Sequence, residues 1–236
     1  MRTIFLFFVF FGAVLTACDD GRIHEKEYEP TGEGRTVELT GVISGIAKWS
    51  DDYSVVIAGF DASSPYAIVS KTIPAPEKEG REIQLTMSGI TEKVATVELC
   101  VIDKLRKRIL SFKEVDCKAE TGDTIRIKAD KVDAGMFHAI QTIVFNADCI
   151  SCHGKSNEAA AGLWLTEGKS YVSLVNQPSK ANPDMLRVKP RQLQESLLHL
   201  VLKENGHVRH DHVDLLSAKP EKLELIDSWI LNEAQE

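Results

Sequence analysis

The chain has 236 residues, of which 43% are hydrophobic, so it can bury a sizeable core as one large domain or as two smaller ones. Its formal net charge of -7 gives it no overall basic character, which argues against a nucleic-acid-binding protein. An acidic surface suits either plain solubility or a partner protein with a basic patch.

The first 17 residues are typical of a secretory signal peptide. Arg2 supplies a positive charge, and residues 4–14 (IFLFFVFFGAV) form an apolar run that is too short for a permanent membrane helix. Residues 15–18 read LTAC, which resembles the lipobox of bacterial lipoproteins. This resemblance implies lipidation of Cys18 and an anchor in a bacterial cell membrane, on an extracytoplasmic face that is either periplasm-facing or at the cell surface. The alternative is an ordinary signal peptide followed by an incidental cysteine.

Residues 18–35 are polar and charged without apolar periodicity, which predicts a flexible tether. Short runs of alternating apolar residues follow over residues 36–132. They predict strands at residues 36–45, 53–60, 66–73, 82–88, 95–103, 108–115 and 124–129. Short strands at this density are typical of an all-β sandwich of the immunoglobulin-like or transthyretin-like type. This segment shows no catalytic constellation, so we interpret it as a spacer or a partner-binding module.

Cys100 and Cys117 remain when the lipidation site and the Cys149/Cys152 pair are set aside. An even remainder in an exported protein favours a disulfide. The two residues lie on the predicted strands that flank residues 104–107, so we expect a cross-strand disulfide between them. The alternative is two buried free cysteines.

Residues 149–153 read CISCH, a pattern typical of c-type haem attachment. Two thiols that are two residues apart let one short loop form two thioether bonds to a haem, while the next histidine ligates the iron. A redox dithiol and half of a zinc site are the alternatives, but the sequence lacks the βαβ pattern of the first and the second paired motif of the other. We therefore predict one covalent haem c on Cys149 and Cys152, with His153 as the proximal axial ligand.

From residue 133 the apolar spacing becomes helical, and a predicted helix leads into the attachment site. Residues 137–154 (FHAIQTIVFNADCISCHG), 162–165 (GLWL), 171–175 (YVSLV) and 225–230 (LIDSWI) resemble class I cytochromes c of the planctomycete type. The resemblance covers residues 133–236 and implies an all-α monohaem domain, with Trp229 in the core of its last helix. The predicted fold is thus mixed and multidomain: an all-β sandwich at residues 36–132, followed by an all-α cytochrome c domain.

The second axial ligand departs from that family's pattern. Such modules usually offer a methionine before the last helix, whereas residues 203–219 (KENGHVRHDHVDLLSAK) contain three histidines and no methionine. We expect bis-histidine ligation with His212 as the distal ligand and His210 as the alternative. Met185 and His207 are weaker candidates, and His199 is expected on a half-buried helix face. The remaining alternative is a solvated loop with incidental histidines.

Two strong axial ligands leave no open position on the iron, which favours electron transfer over catalysis. The sequence therefore predicts a membrane-anchored electron carrier that exchanges single electrons with a redox partner protein. Two other functions remain open. In the first, the β-segment acts as a surface binding module, with the haem segment as a sensor or appendage. In the second, the protein is a peroxidase-like enzyme in which the loop histidines are acid/base groups.

Overall fold

A computed structural model describes residues 34–154 and 159–236 of the chain. The predicted signal peptide (residues 1–17), the predicted lipidation site Cys18 and nearly all of the predicted tether lie outside the described residues. None of the helices within the described ranges has the length and apolar character of a membrane span.

Strands dominate the first part of the described chain, and each overlaps a strand that apolar alternation predicts. In β1, for example, the buried Val37, Leu39 and Ile43 alternate with half-buried neighbours. The strands are Arg35–Ser44 (β1), Tyr53–Phe60 (β2), Ala67–Thr72 (β3), Glu82–Ile90 (β4), Thr96–Asp103 (β5), Arg108–Asp116 (β6) and Thr124–Asp133 (β7).

The strands form two sheets that share an apolar core. One sheet has the order β4-β1-β7, in which β1 is antiparallel to β4 and parallel to β7. The other has the order β3-β2-β5-β6 and is antiparallel throughout. Leu39 and Ile127 of the first sheet and Ile57 and Leu99 of the second are at most 1% exposed, because they face each other across this core.

After β7 the chain forms short helical segments. The α-helices are Met136–Ile140 (α1), Ile150–His153 (α2), Ser170–Leu174 (α3), Leu197–Lys203 (α4), Val213–Leu216 (α5) and Pro220–Leu231 (α6). A π-helix over Gln141–Cys149 joins α1 to α2, and 3-10 turns lie at Ile46–Lys48, Ala160–Gly162 and Leu193–Glu195.

The predicted fold class is therefore wrong. The described chain consists mainly of two β-sheets, and the segment after β7 contains short helices of 4 to 12 residues rather than an all-α cytochrome c domain. Proline explains part of the difference, because Pro178, Pro183 and Pro190 interrupt any helix between α3 and α4. In this interval the backbone forms isolated β-bridges instead, such as Val175 with Val188.

A second apolar core lies among the helices, around Phe145, Leu225 and Trp229. It is continuous with the sheets, since Trp49, Tyr53 and Ile109 pack against both cores. Hydrogen bonds add to this contact: Trp49 Nε1 donates to Ala134 O at 2.6 Å, and the hydroxyls of Ser50 and Ser228 lie 2.6 Å apart. The described residues accordingly pack as one compact unit.

The predicted disulfide between Cys100 and Cys117 is absent. Both cysteines are free and buried. Cys100 lies opposite Ser111 in the β5–β6 ladder, whereas the amide of Cys117 bonds to Ala95 at the other end of β5. Five residues of strand at about 3.3 Å each therefore separate the two thiols, and a disulfide requires Cα atoms within about 7 Å.

Candidate haem-binding site

The CISCH motif occupies the end of the π-helix and the single turn of α2, so both thiols and His153 project from one helical run. Gly154 ends this run. A Cβ at that position would lie 2.8 Å from the carbonyl oxygen of Ile150 and 3.0 Å from the Thr166 side chain. A glycine is therefore required for the chain to pass this close to its own preceding turn.

The two motif thiols are free and differ in exposure. Cys149 is half-buried against the second core, and Cys152 is exposed. Burial, together with the negative charge of Asp148, raises the pKa of Cys149 to about 12. Redox-active dithiols depend on a lowered thiol pKa, so this environment argues against the dithiol alternative and keeps Cys149 as a protonated thiol.

His153 is half-buried and held by two hydrogen bonds. Its Nδ1 donates a hydrogen bond to Ala160 O at 3.2 Å, and its backbone carbonyl accepts one from the Leu165 amide at 2.8 Å. A carbonyl acceptor requires the proton on Nδ1, so the lone pair of the ring is on Nε2. The backbone of Leu163 contacts the ring as well. Burial, and to a smaller extent the nearby His212, lower the pKa of His153, so its imidazole is neutral at neutral pH. A neutral imidazole with its lone pair on Nε2 is a form that ligates a metal.

His212 faces His153 across the site. The centroids of the two rings lie 6.2 Å apart, with an interplanar angle of 26°. Nδ1 of His212 donates to the carbonyl of His210 at 2.8 Å, so the lone pair is again on Nε2. The structure thus brings together two of the residues that the sequence singles out, each oriented by a hydrogen bond from its other ring nitrogen, as is usual for metal-ligating histidines.

The separation of the two rings matches the one that two imidazoles on one haem iron would have. Metal–imidazole bonds of about 2.0–2.1 Å place the ring centroids of two opposed ligands roughly 6 Å apart. The observed 6.2 Å agrees with this separation. The residues also supply the two free thiols that a c-type haem needs, on the same helical run as His153.

The other ligand candidates are placed less favourably. His210 is exposed and packs edge-on against His212, with 5.0 Å between ring centroids. The Nε2 of His207 bonds to Glu204 Oε1 at 2.9 Å, so its metal-binding nitrogen is already engaged. Met185 lies in the turn after Asn182, where its amide bonds to the Asn182 carbonyl.

His199 differs from its predicted half-buried position, because it is only 1% exposed. Its Nδ1 lies 2.6 Å from Asp227 Oδ1, which ties α4 to α6, and its buried Nε2 has no hydrogen-bond partner. Burial raises the pKa of Asp227, although the contact with His199 opposes this shift. The sequence does not predict this pair, because His199 lies among apolar residues and Asp227 is 28 residues away along the chain.

Gln141, at the start of the π-helix, is a further residue that the sequence did not reveal. Its side chain is 3% exposed and bonds to three groups at once. Nε2 donates to Leu165 O at 2.9 Å and to Asn146 Oδ1 at 2.7 Å, and Oε1 accepts from the hydroxyl of Ser170. Since the Leu165 amide binds the carbonyl of His153, Gln141 supports the loop that holds this histidine.

Gln141→Leu is expected to lower the free energy of unfolding by about 1–3 kcal/mol, because a side chain of similar size leaves buried polar partners unpaired. Urea denaturation of the full chain measures this effect. Gln194→Leu, at an exposed position, is the matched control and should change stability by less than about 0.5 kcal/mol. Equal effects of the two substitutions would contradict the role of Gln141.

Within residues 34–154 and 159–236, no group of three or more His, Cys, Asp or Glu side chains is arranged to hold a metal ion. The closed zinc site that a Cys-x-x-Cys pair also allows is thus not formed by these residues. Comparisons of the chain with protein-family models, with curated proteins and with solved structures find no match.

Proposed function

We propose that this chain is a membrane-anchored c-type cytochrome, which carries one haem covalently on Cys149 and Cys152 and exchanges single electrons with a partner protein. One observation carries the proposal: the ring centroids of His153 and His212 lie 6.2 Å apart, and Nδ1 of each ring contacts a backbone carbonyl, so that the lone pair of each ring is on Nε2. This arrangement lies next to the two free thiols of the same motif.

Each residue has a defined task in this proposal. Cys149 and Cys152 would supply the sulfurs of the thioether bonds, and His153 and His212 would hold the iron. A bound haem supplies an iron that changes between its ferric and ferrous states by one electron. The Ala160 and His210 carbonyls hold the two imidazoles by their Nδ1 atoms and would orient them towards a bound iron.

The ligand pair also sets the direction of two properties. Methionine as an axial ligand raises the reduction potential, so a second imidazole gives a lower potential than a His/Met site. Two imidazole ligands would also leave no position on the iron for a substrate. Both properties suit an electron carrier rather than an enzyme.

The location of the protein follows from the same proposal. Haem c is attached outside the cytoplasm, and lipidation at Cys18 would hold the chain at a membrane surface in that compartment. The formal net charge of -7 suits a redox partner with a basic docking patch.

The visible absorption spectrum of the full-length protein, made in a host that attaches c-type haem, tests the proposal directly. We expect sharp low-spin bands in the ferric form that persist on reduction, together with haem that stays on the chain after denaturation. A protein without covalent haem would overturn the proposed function. A high-spin spectrum would overturn the bis-histidine ligation and support the enzyme alternative.

His212→Ala is expected to convert the ferric spectrum from low-spin to high-spin and to allow rapid binding of carbon monoxide to the ferrous form. The reason is that the substitution removes the distal nitrogen while the thioethers and His153 remain. Stopped-flow carbon monoxide binding and the spectrum measure both effects. His207→Ala, in the same loop, is the control and should behave as the wild type; an unchanged spectrum in His212→Ala would refute the assignment.

A further inference from the structure

Asp148, the residue directly before Cys149, binds two lysines from a distant part of the chain. Its Oδ1 accepts from Lys219 Nζ and its Oδ2 from Lys222 Nζ, each at 2.6 Å. The side chains of Asp148 and Lys222 are only 12% and 16% exposed, and that of Lys219 is 41% exposed, so the carboxylate is largely shielded from solvent, unlike that of a surface ion pair. Burial acts to raise the pKa of Asp148, but the hydrogen bonds and charges of the two lysines together outweigh it and lower this pKa, so the carboxylate stays charged.

The two lysines stand at an unusual place in their helix. Lys219 is the N-cap residue of α6, and Lys222 lies in the first turn. Cations are favourable near the C-terminal end of a helix and unfavourable near its N-terminal end, because of the helix dipole. Helix stability therefore does not explain these positions, whereas the shared contact with Asp148 does.

The cluster connects the two sides of the candidate haem site. On one side Asp148 belongs to the helical run that carries Cys149 and His153. On the other side Lys219 follows α5, the short helix that begins directly after His212. Backbone hydrogen bonds from Leu215 to His212 and from Lys219 to Leu216 tie this segment together, and Leu216 is 2% exposed in the second core. A shift of Lys219 is thus transmitted to His212.

We infer that Asp148 is a positioning residue for the distal ligand: by binding Lys219 and Lys222, it holds the segment of His212 against the haem-attachment turn. This inference rests on the proposed function. It adds a residue that would determine how often His212 is bound to the iron. Asp148 touches neither imidazole, so it acts through the lysines and α5.

Asp148→Asn in the full-length haem-loaded protein tests the inference. We expect unchanged covalent haem and carbon monoxide binding about tenfold faster than in the wild type, since couplings within hydrogen-bonded charge networks have this order of magnitude. The rate should stay below that of His212→Ala, which lacks the distal ligand altogether. The reduction potential should rise towards that of His212→Ala. Glu195→Gln is the matched control, because it removes a carboxylate from a different ion pair, that of Lys189 with Glu195. It should leave the carbon monoxide binding rate and the reduction potential unchanged.

The double variant Lys219→Gln, Lys222→Gln approaches the same cluster from its other side. It should reproduce the faster carbon monoxide binding, and adding Asp148→Asn to it should produce no further increase. A carbon monoxide binding rate and a reduction potential equal to those of the wild type in this double variant would overturn the inference. This test also applies if Asp148→Asn fails to retain haem. If the wild type itself holds no covalent haem, the proposed function and this inference both fail; if it holds low-spin haem and neither variant differs from it, only the inference fails.

Discussion

The double variant Cys149→Ser, Cys152→Ser is expected to contain no covalently bound haem. Both thioether bonds need these sulfurs, and a serine hydroxyl forms no such bond. The other described cysteines cannot substitute for them, because Cys100 and Cys117 are buried in the sheets. Each single variant retains one sulfur and should keep a haem that is attached through one bond.

Haem staining after denaturing electrophoresis measures this result, and the mass of the intact protein shows the missing haem directly. Ser151→Ala is the matched control, since Ser151 lies between the two cysteines and its hydroxyl makes only a 3.8 Å contact with Cys152 Sγ. We expect full haem content in the control. Covalent haem in the double serine variant would contradict the attachment site and the proposed function with it.

Trp229→Ala is expected to lower the free energy of unfolding by about 3–5 kcal/mol, the range found for large aromatic side chains in cores. Trp229 is 1% exposed and lies 5.1 Å from the ring of Phe137, measured between centroids. Its Nε1 donates to Gln235 O at 2.7 Å. The substitution thus removes a large buried side chain that joins α6 to α1.

Urea denaturation gives the change in the free energy of unfolding. An unchanged slope of this free energy against urea concentration would show that the variant exposes the same amount of surface on unfolding as the wild type. Leu231→Ala provides the control on the same helix. Leu231 is 54% exposed, so its truncation should cost less than about 1 kcal/mol. Comparable losses in the two variants would show that Trp229 is not part of the core.

The strands could be predicted because their signal is local. Alternation of apolar residues over five to ten positions directly reflects which face of a sheet is buried. The helical segment is harder to predict for a physical reason. Met136 and Ile140 have helical spacing, but the chain continues as a π-helix from Gln141, a choice that depends on tertiary packing and on the buried contacts of that glutamine.

The pairing of distant residues could be predicted only in part. The motif predicts roles for Cys149, Cys152 and His153, and the absence of methionine in the loop predicts a role for His212. The structure brings the rings of His153 and His212 within 6.2 Å of each other, measured between centroids. The disulfide prediction failed because the β5–β6 ladder pairs Cys100 with Ser111, which lies six residues before Cys117. The bulges in this ladder shift the register by only one residue at a time, so they do not bring the two cysteines together. The Asp148 cluster combines residues that are more than 70 positions apart, and no local pattern reports such a contact.

The residues shared by the two cores have a consequence for how the molecule opens. Trp49, Tyr53 and Ile109 contribute to the core of the sheets and to that of the helices at the same time. Neither core loses its packing without exposing part of the other, so slow amide exchange in the sheets and in α6 should proceed through a common global opening. A ligand that binds only the folded helical segment therefore also protects the amides of the sheets, by mass action.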